Sequence, residues 1–438
     1  MEWWLILVLG LAMLLSLMFL GVPIFVSFLI LNVAGILLLI GPSGFGMFAN
    51  SIYTTATLGE LAAIPLFTLM GEILFRSGAM EVLLDSLDRI VGKVRGRQYV
   101  LCVLLSAICG ALSGAAMAVA GLLGRSLYPT MVKRGYDKTL AAGTILGGAS
   151  LDPIIPPSVL AIIIATLAKV STGKLLIAGI LPGILLMFLF LIYISIRVWL
   201  NPSLAPESAG ELRDPATRGS ITMAVLRMLP VSLIFFLVVG LIMLGVATPT
   251  EAAATGVVGA LVLAGAYGGL GREMIEQSII SGITVAGIML AVMSCATMFS
   301  QLLVFSGALS ELGKFILHLD LSHYAMLAVL LGVPFILFMF LDQTSVLLVL
   351  IPIYQPVIGT YQYDLIWFWG LMLIVATVGG ITPPFGYTLY AFKSAVPEIP
   401  TRQLFRASWP YVWIIMAGLV LMVLIPSIIT FLPEMTRS

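Results

Sequence analysis

Ser150-Leu151-Asp152-Pro153-Ile154-Ile155-Pro156-Pro157-Ser158 is the stretch from which the architecture follows. It interrupts an apolar run that otherwise reads as membrane helix. Three prolines fall between positions 153 and 157. Each removes a backbone donor and clashes with the preceding turn, so an unbroken helix cannot pass. Lipid cannot satisfy the freed carbonyls, so broken backbone at membrane depth must face protein or a polar cavity. A carboxylate, Asp152, sits at the break. Far downstream, Gly379-Gly380-Ile381-Thr382-Pro383-Pro384-Phe385-Gly386 echoes the pattern. Two broken helices in one membrane protein point to a transporter built from two repeats.

Composition supports the membrane reading. Of 438 residues, 61% are hydrophobic and 9% charged, against about 45–50% and about 25% in a soluble domain. The net charge of +1 says nothing about nucleic acid, and no basic tract occurs to bind it, so no nucleic-acid partner is expected. Cys102, Cys109 and Cys295 lie in apolar segments at spacings that fit neither a metal site nor a disulfide framework. Packing is their expected role. Met1-Glu2-Trp3-Trp4 lacks a basic n-region and reads as a first span with interfacial tryptophan, not a signal peptide.

Outward from the first break, Met80–Val91 alternates as an amphipathic surface helix. Arg89, Lys93, Arg95 and Arg97 precede Tyr99–Met131, and Lys133, Arg134 and Lys138 follow it. Short basic loops stay in the cytoplasm, so both ends of this segment are expected there. Its 33 residues are too few for two crossings of about 20 residues each plus a turn. A re-entrant hairpin with its tip at Gly110–Gly114 is the economical solution. Further along, an interrupted span is expected at 55–75, a cytoplasmic linker with a surface helix at 197–227, a broken run at 278–305 and a last span at 409–432.

The second half repeats the first. Pro129, Tyr136, Asp137 and Pro156-Pro157 recur as Pro356, Tyr363, Asp364 and Pro383-Pro384, all at an offset of 227. That indicates internal duplication. The loops flanking Tyr324–Pro356 carry no Lys or Arg, so the second hairpin is expected to enter from outside and the repeats to be inverted. The resulting division is 1–54, N-terminal scaffold spans; 55–196, first repeat, with hairpin 99–131 and broken helix 139–168; 197–277, linker and scaffold spans; and 278–432, second repeat, with hairpin 324–356, broken helix 365–396 and the final span. Counting crossings places both termini outside.

This is an all-α polytopic membrane protein of the inverted-repeat secondary-transporter class, with its site near mid-membrane. Half-helix N-termini offer N–H groups to an anion, and unwound carbonyls offer oxygens to a cation. Asp342, at the second tip, reads either as an ion ligand or as a helix N-cap. Asp152 reads either as a ligand or as the cap of a helix entered at Pro153. Ser113 and Gly114 at the first tip, with Thr344 and Thr382, are site candidates or turn formers. Arg125 could bind a substrate carboxylate, but lies about 16 Å along a helix from Gly114, where snorkelling is the alternative. Glu60 and Glu72 are weaker candidates. No intramembrane Ser-His or paired-Asp arrangement and no P-loop appears, which excludes an enzyme. Paired hairpins and breaks argue against a channel.

Ile64-Pro65-Leu66-Phe67, Gly110–Gly114, Lys133-Arg134-Gly135-Tyr136-Asp137, Pro153–Ser158, Leu341-Asp342 with Thr344, Pro352 with Pro356, and Thr382-Pro383-Pro384 with Gly386 together resemble one family. It is the large membrane (M) subunit of tripartite ATP-independent periplasmic (TRAP) transporters. The resemblance spans essentially the whole chain. It implies an elevator mechanism and Na⁺-coupled uptake of organic acids across the bacterial inner membrane. It also implies two partners: a small membrane (Q) subunit that braces the scaffold, and a periplasmic substrate-binding (P) protein. No organic cofactor is implied. One sodium is expected near Ser113, Gly114, Ser150, Asp152 and Pro156. A second is expected near Asp342, Thr344, Gly379, Gly380 and Thr382. Arg125, Ser158 and Gly386 are the substrate candidates. Ala115, Asp152 and Gln343 depart from the family's usual residues, and Asp152 keeps a proton-coupled carrier of the same fold open.

Overall fold

A computed structural model describes residues 2–92, 94–113, 116–206, 221–318 and 321–436. The side chains of Glu81, 111–113, Ile221 and Leu317 are also outside the description. Within it the regular structure is entirely helical. Helices α1 (Trp3–Phe19) and α2 (Ile24–Gly35) lead into α3 (Phe45–Ala56) and α4 (Ala63–Arg76), then α5 (Ala79–Val91). The first hairpin is α6 (Arg97–Ser113) and α7 (Ala116–Ser126), followed by α8 (Tyr128–Lys133). The first broken helix is α9 (Lys138–Ala149) and α10 (Val159–Ala168). Next come α11 (Thr172–Ala178), α12 (Ile180–Leu200), α13 (Ile221–Met243), α14 (Pro249–Ala266), α15 (Arg272–Phe305) and α16 (Ala308–His318). The second hairpin is α17 (His323–Phe338) and α18 (Gln343–Tyr361), and the second broken helix α19 (Leu365–Ile381) and α20 (Tyr387–Ala395). Helices α21 (Thr401–Leu424) and α22 (Ser427–Met435) close the chain.

Six helices among the described residues are long and apolar enough to cross a membrane, or seven if the bent pair α3 and α4 counts as one. The half-helices and three of the four hairpin arms are shorter, while the fourth arm, α18, is one of the six. The two repeats begin alike. Asp137 caps α9 by accepting the backbone N–H of Leu140 at 2.7 Å, and Asp364 caps α19 by accepting that of Trp367 at 2.7 Å. Such a cap contributes about 1 kcal/mol. Both Pro-Pro bonds, 156–157 and 383–384, are cis.

Helix α19 is the centre of the core: every residue from Trp367 to Ile381 is buried. It packs against α17, α21 and α11. Helix α9 lies against α6 and α21 through small residues. A Cβ built on Gly148 would approach Ser106 Oγ to 2.6 Å, and Tyr411 covers Gly143 and Gly147. Thr144 Oγ1 and Tyr411 Oη are hydrogen-bonded at 2.8 Å. On the other side, α4 is packed between α14 and α15, forming a wall opposite the hairpins.

Two expectations are corrected and a third, the interruption within 55–75, is located. Residues 278–305 are not broken, because α15 runs continuously from Arg272 to Phe305. Gly282 and Gly287 sit inside it without positive φ; glycine weakens a helix by about 1 kcal/mol but does not remove a donor as proline does. The interruption read within 55–75 falls at its start: α3 and α4 are bent by 54° across Thr57-Leu58, while Pro65 lies in the first turn of α4, where its missing N–H costs nothing. The last span is two helices, because Pro426 separates α21 from α22. Of the linker expected at 197–227, residues 207–220 lie outside the described residues, and α13 already begins at Ile221.

Candidate functional site

The first break spans 150–158. Asp152 does not cap a helix entered at Pro153, since residues 151–157 form turns and bends. The cap of α10 is Ser158, whose Oγ accepts the N–H of Ala161 at 3.1 Å and donates to the Pro153 carbonyl at 2.6 Å. Asp152 is instead turned toward the first hairpin. One carboxylate oxygen accepts the backbone N–H of Ala116, the first residue of α7. The other, Oδ1, is buried without a hydrogen-bond partner. Gly110 on α6 makes room for it: a Cβ there would lie 3.0 Å from the Asp152 Cβ. Asp152 itself is 4% exposed.

At the second hairpin Asp342 is the N-cap of α18, accepting the Ser345 N–H at 3.1 Å and the Ser345 hydroxyl. Capping and ion binding need not compete, since a carboxylate has about four lone-pair directions. Gln343 anchors the same tip to the other broken helix through the Ala376 carbonyl at 2.5 Å. Thr382 ends α19 and donates its hydroxyl to Val378 O at 2.6 Å.

These pieces meet around one cavity of about 640 Å³. Asp152, Ser158, Asp342 and Thr344 lie on its wall, together with Ala116, Gln343 and Tyr387. The opposite wall comes from α4 and α15: Thr68, Glu72, Arg76, Ser281, Val285 and Met289. Behind the first wall stand the other candidates. Ser150 donates to Gly147 O at 2.7 Å, Pro156 opens the cis pair, and Gly379 is covered by Phe338. A Cβ on Gly380 would meet the Tyr387 hydroxyl at 2.9 Å, and one on Gly386 would meet the Gly380 carbonyl oxygen at 2.7 Å. Gly114 and the Ser113 side chain lie outside the described residues.

Arg125 does not reach this cavity. It lines a separate one of about 420 Å³ with Lys133, Lys138 and Glu398, in keeping with the snorkelling alternative. Glu60 accepts the Thr172 hydroxyl at 2.9 Å away from the site. Sequence reasoning missed Tyr387, Arg76 and Ser281. For Arg76 the signal was present, as Glu72 and Arg76 stand four apart in an apolar helix, a pairing that lipid-facing sequence does not tolerate. No His/Cys/Asp/Glu cluster for a transition metal occurs among the described residues.

Two hairpins and two broken helices around a cavity that holds ionisable side chains define a polytopic secondary transporter. The chain belongs to the family described as "Tripartite ATP-independent periplasmic transporter, DctM component", whose profile it matches over residues 11–428. It is 30% identical over 401 residues to the C4-dicarboxylate TRAP transporter large permease protein DctM of Pseudomonas aeruginosa, covering 91% of this chain and 92% of that one. It is 27% identical to the ectoine/5-hydroxyectoine large permease protein UehC of Ruegeria pomeroyi, covering 86% and 87%. Its fold resembles the crystal structure of the YdaH transporter of Alcanivorax borkumensis, with a TM-score of 0.64 at 14% identity over 91% of each chain.

Proposed function

We propose that this large permease subunit carries a small organic anion into the cell by coupling to Na⁺. The solute would be a carboxylic acid such as a dicarboxylate or a sugar acid. The observation that carries the proposal is the charge of the cavity. Its described wall holds three carboxylates, Glu72, Asp152 and Asp342, against one guanidinium, Arg76. An anion is repelled from such a space unless cations enter with it. Two sodium ions would cancel the net charge of the wall before the solute's own charge is added. Oxygen ligands suit a hard cation, and Asp152 in the first break and Asp342 at the second hairpin tip each bring a carboxylate to the cavity wall.

Movement of the hairpins and broken helices against the wall of α4, α14 and α15 would alternate access, in the manner of an elevator. The dicarboxylate and ectoine permeases it resembles support a solute with an acid group. A periplasmic binding protein would deliver it, and a small membrane subunit would brace the scaffold in the bacterial inner membrane. Proton coupling is the second reading, favoured by the buried, unpartnered Asp152 Oδ1.

The test is uptake of succinate, gluconate and ectoine into liposomes holding the permease with its small subunit and binding protein. An inward Na⁺ gradient at clamped pH should stimulate uptake of at least one. Stimulation by a pH gradient but not by Na⁺ would transfer the function to the proton carrier.

A further inference from the structure

Arg76 is the one basic residue on the described wall of the central cavity. It ends α4, immediately before the turn into α5. An i, i+4 Glu–Arg pair on a soluble helix is a minor surface feature, but here the pair faces the cavity inside a membrane protein. Arg76 Nε donates to Glu72 Oε2 at 2.8 Å, and Nη1 donates to Gln277 Oε1. Glu72 is itself fixed by the Ser281 hydroxyl at 3.1 Å. Thus Glu72 on α4 and Gln277 on α15 hold one guanidinium by two of its nitrogens, with Ser281 fixing Glu72. A guanidinium has five N–H donors, and those not used here have no other partner among the described residues. The Arg76 side chain is 38% exposed.

We infer that Arg76 is the substrate-anchoring residue of this transporter, taking the solute's acid group on the wall opposite the two aspartates. The inference rests on the proposed uptake of an organic anion and adds where its charge is read. Asp152 and Asp342 repel that charge and serve cations, so the anion has one attractive side chain to approach. Glu72 and Gln277 are positioning residues: they fix the plane of the guanidinium, so that the free N–H groups form a fork for a planar carboxylate. Because Glu72 lowers the net charge of the pair, Arg76 attracts the anion without trapping it.

The test measures uptake of whichever of succinate, gluconate and ectoine the wild type transports, alongside the neutral amide of the same acid. Arg76→Lys keeps the charge and loses the fork, while Arg76→Gln loses both. The expected result is a KM raised about 10- to 100-fold for the acid, as loss of a charge-assisted hydrogen bond gives, with kcat changed far less. Preference for the acid over its amide should collapse in Arg76→Gln. The Na⁺ concentration for half-maximal uptake should stay within about twofold, because the cation sites lie on the other wall. Unchanged KM and unchanged acid preference in a variant that still responds to Na⁺ would overturn the inference and leave the uptake function standing. Loss of all uptake from both variants would be judged by direct binding of the same acid to purified protein. Wild-type-like affinity there would overturn the anchoring role, and loss of affinity at unchanged melting temperature would support it. If the wild type moves none of the three acids, the organic-anion reading falls and this inference with it.

Discussion

Both hairpins present a carboxylate at the N-terminus of their second arm, but they obtain it differently. In the second hairpin the aspartate is local: Asp342 caps α18, the helix it precedes. In the first, α7 starts at Ala116, and its N–H is met by Asp152 from the broken helix across the site. The breaks differ accordingly. Residues 150–158 include a carboxylate, whereas 382–386 are shorter and contain none. Duplication has kept the backbone interruption and the negative charge at each tip while moving the charge from one element to another. What the repeat conserves is an electrostatic arrangement, not a residue position.

That comparison can be broken. The largest effect is expected from Asp342→Ala, which removes a cap and the cavity carboxylate together. Sodium-stimulated uptake should fall more than about 100-fold while the protein remains in the membrane fraction, a loss beyond the roughly 1 kcal/mol of a cap alone. Full uptake with unchanged sodium dependence would refute the role. Asp152→Asn should be milder, because the amide oxygen can still accept from Ala116. A rise of about tenfold in the sodium concentration for half-maximal uptake is expected, the size of one lost charge interaction. Equal inactivation by both changes would show that the local and the borrowed carboxylates are equally required.

Gly179→Ala probes the support of the first break alone. A Cβ there would stand 1.9 Å from the Ile154 carbonyl oxygen, a backbone atom that cannot rotate away. Overpacking of this kind costs about 1–3 kcal/mol, read as a lower melting temperature in detergent. Gly370→Ala, which meets the Ile429 side chain at 2.7 Å, should cost less, since a side chain can give way. The smallest effects belong to the caps. Asp137→Ala and Asp364→Ala should each cost about 1 kcal/mol and match one another. A large inequality in their melting temperatures would mean that the repeats are not mechanically equivalent.

Much of this was legible in the chain. Proline at 153, 156 and 157 forces a break wherever it falls, and the offset of 227 carried that knowledge to 383 and 384. The charge pattern around 99–131 gave the hairpin, seen as α6 and α7. The continuity of α15 was not legible, because glycines such as Gly282 signal either a break or a close approach. Here Gly282 accommodates α4, with a Cβ position 3.4 Å from the Pro65 carbonyl oxygen. The partner of Asp152 was hidden for another reason. Its acceptor role depends on the N–H of Ala116, which lies 36 positions earlier in the chain. Tyr387 and Ser281 were missed because a cavity is a property of packing between distant segments, and neither residue belongs to a motif.

Helix α15 has one more consequence. Its 34 residues make a rod about 50 Å long, against a hydrocarbon layer of about 30 Å. Such a rod must lean in the bilayer or stand proud of it. Ser281, Val285 and Met289 on this rod form one side of the central cavity. Bilayer thickness is therefore expected to bear on the width of that cavity. A thicker or thinner membrane acts on this carrier as a mechanical adjustment, applied far from any chemical group of the site.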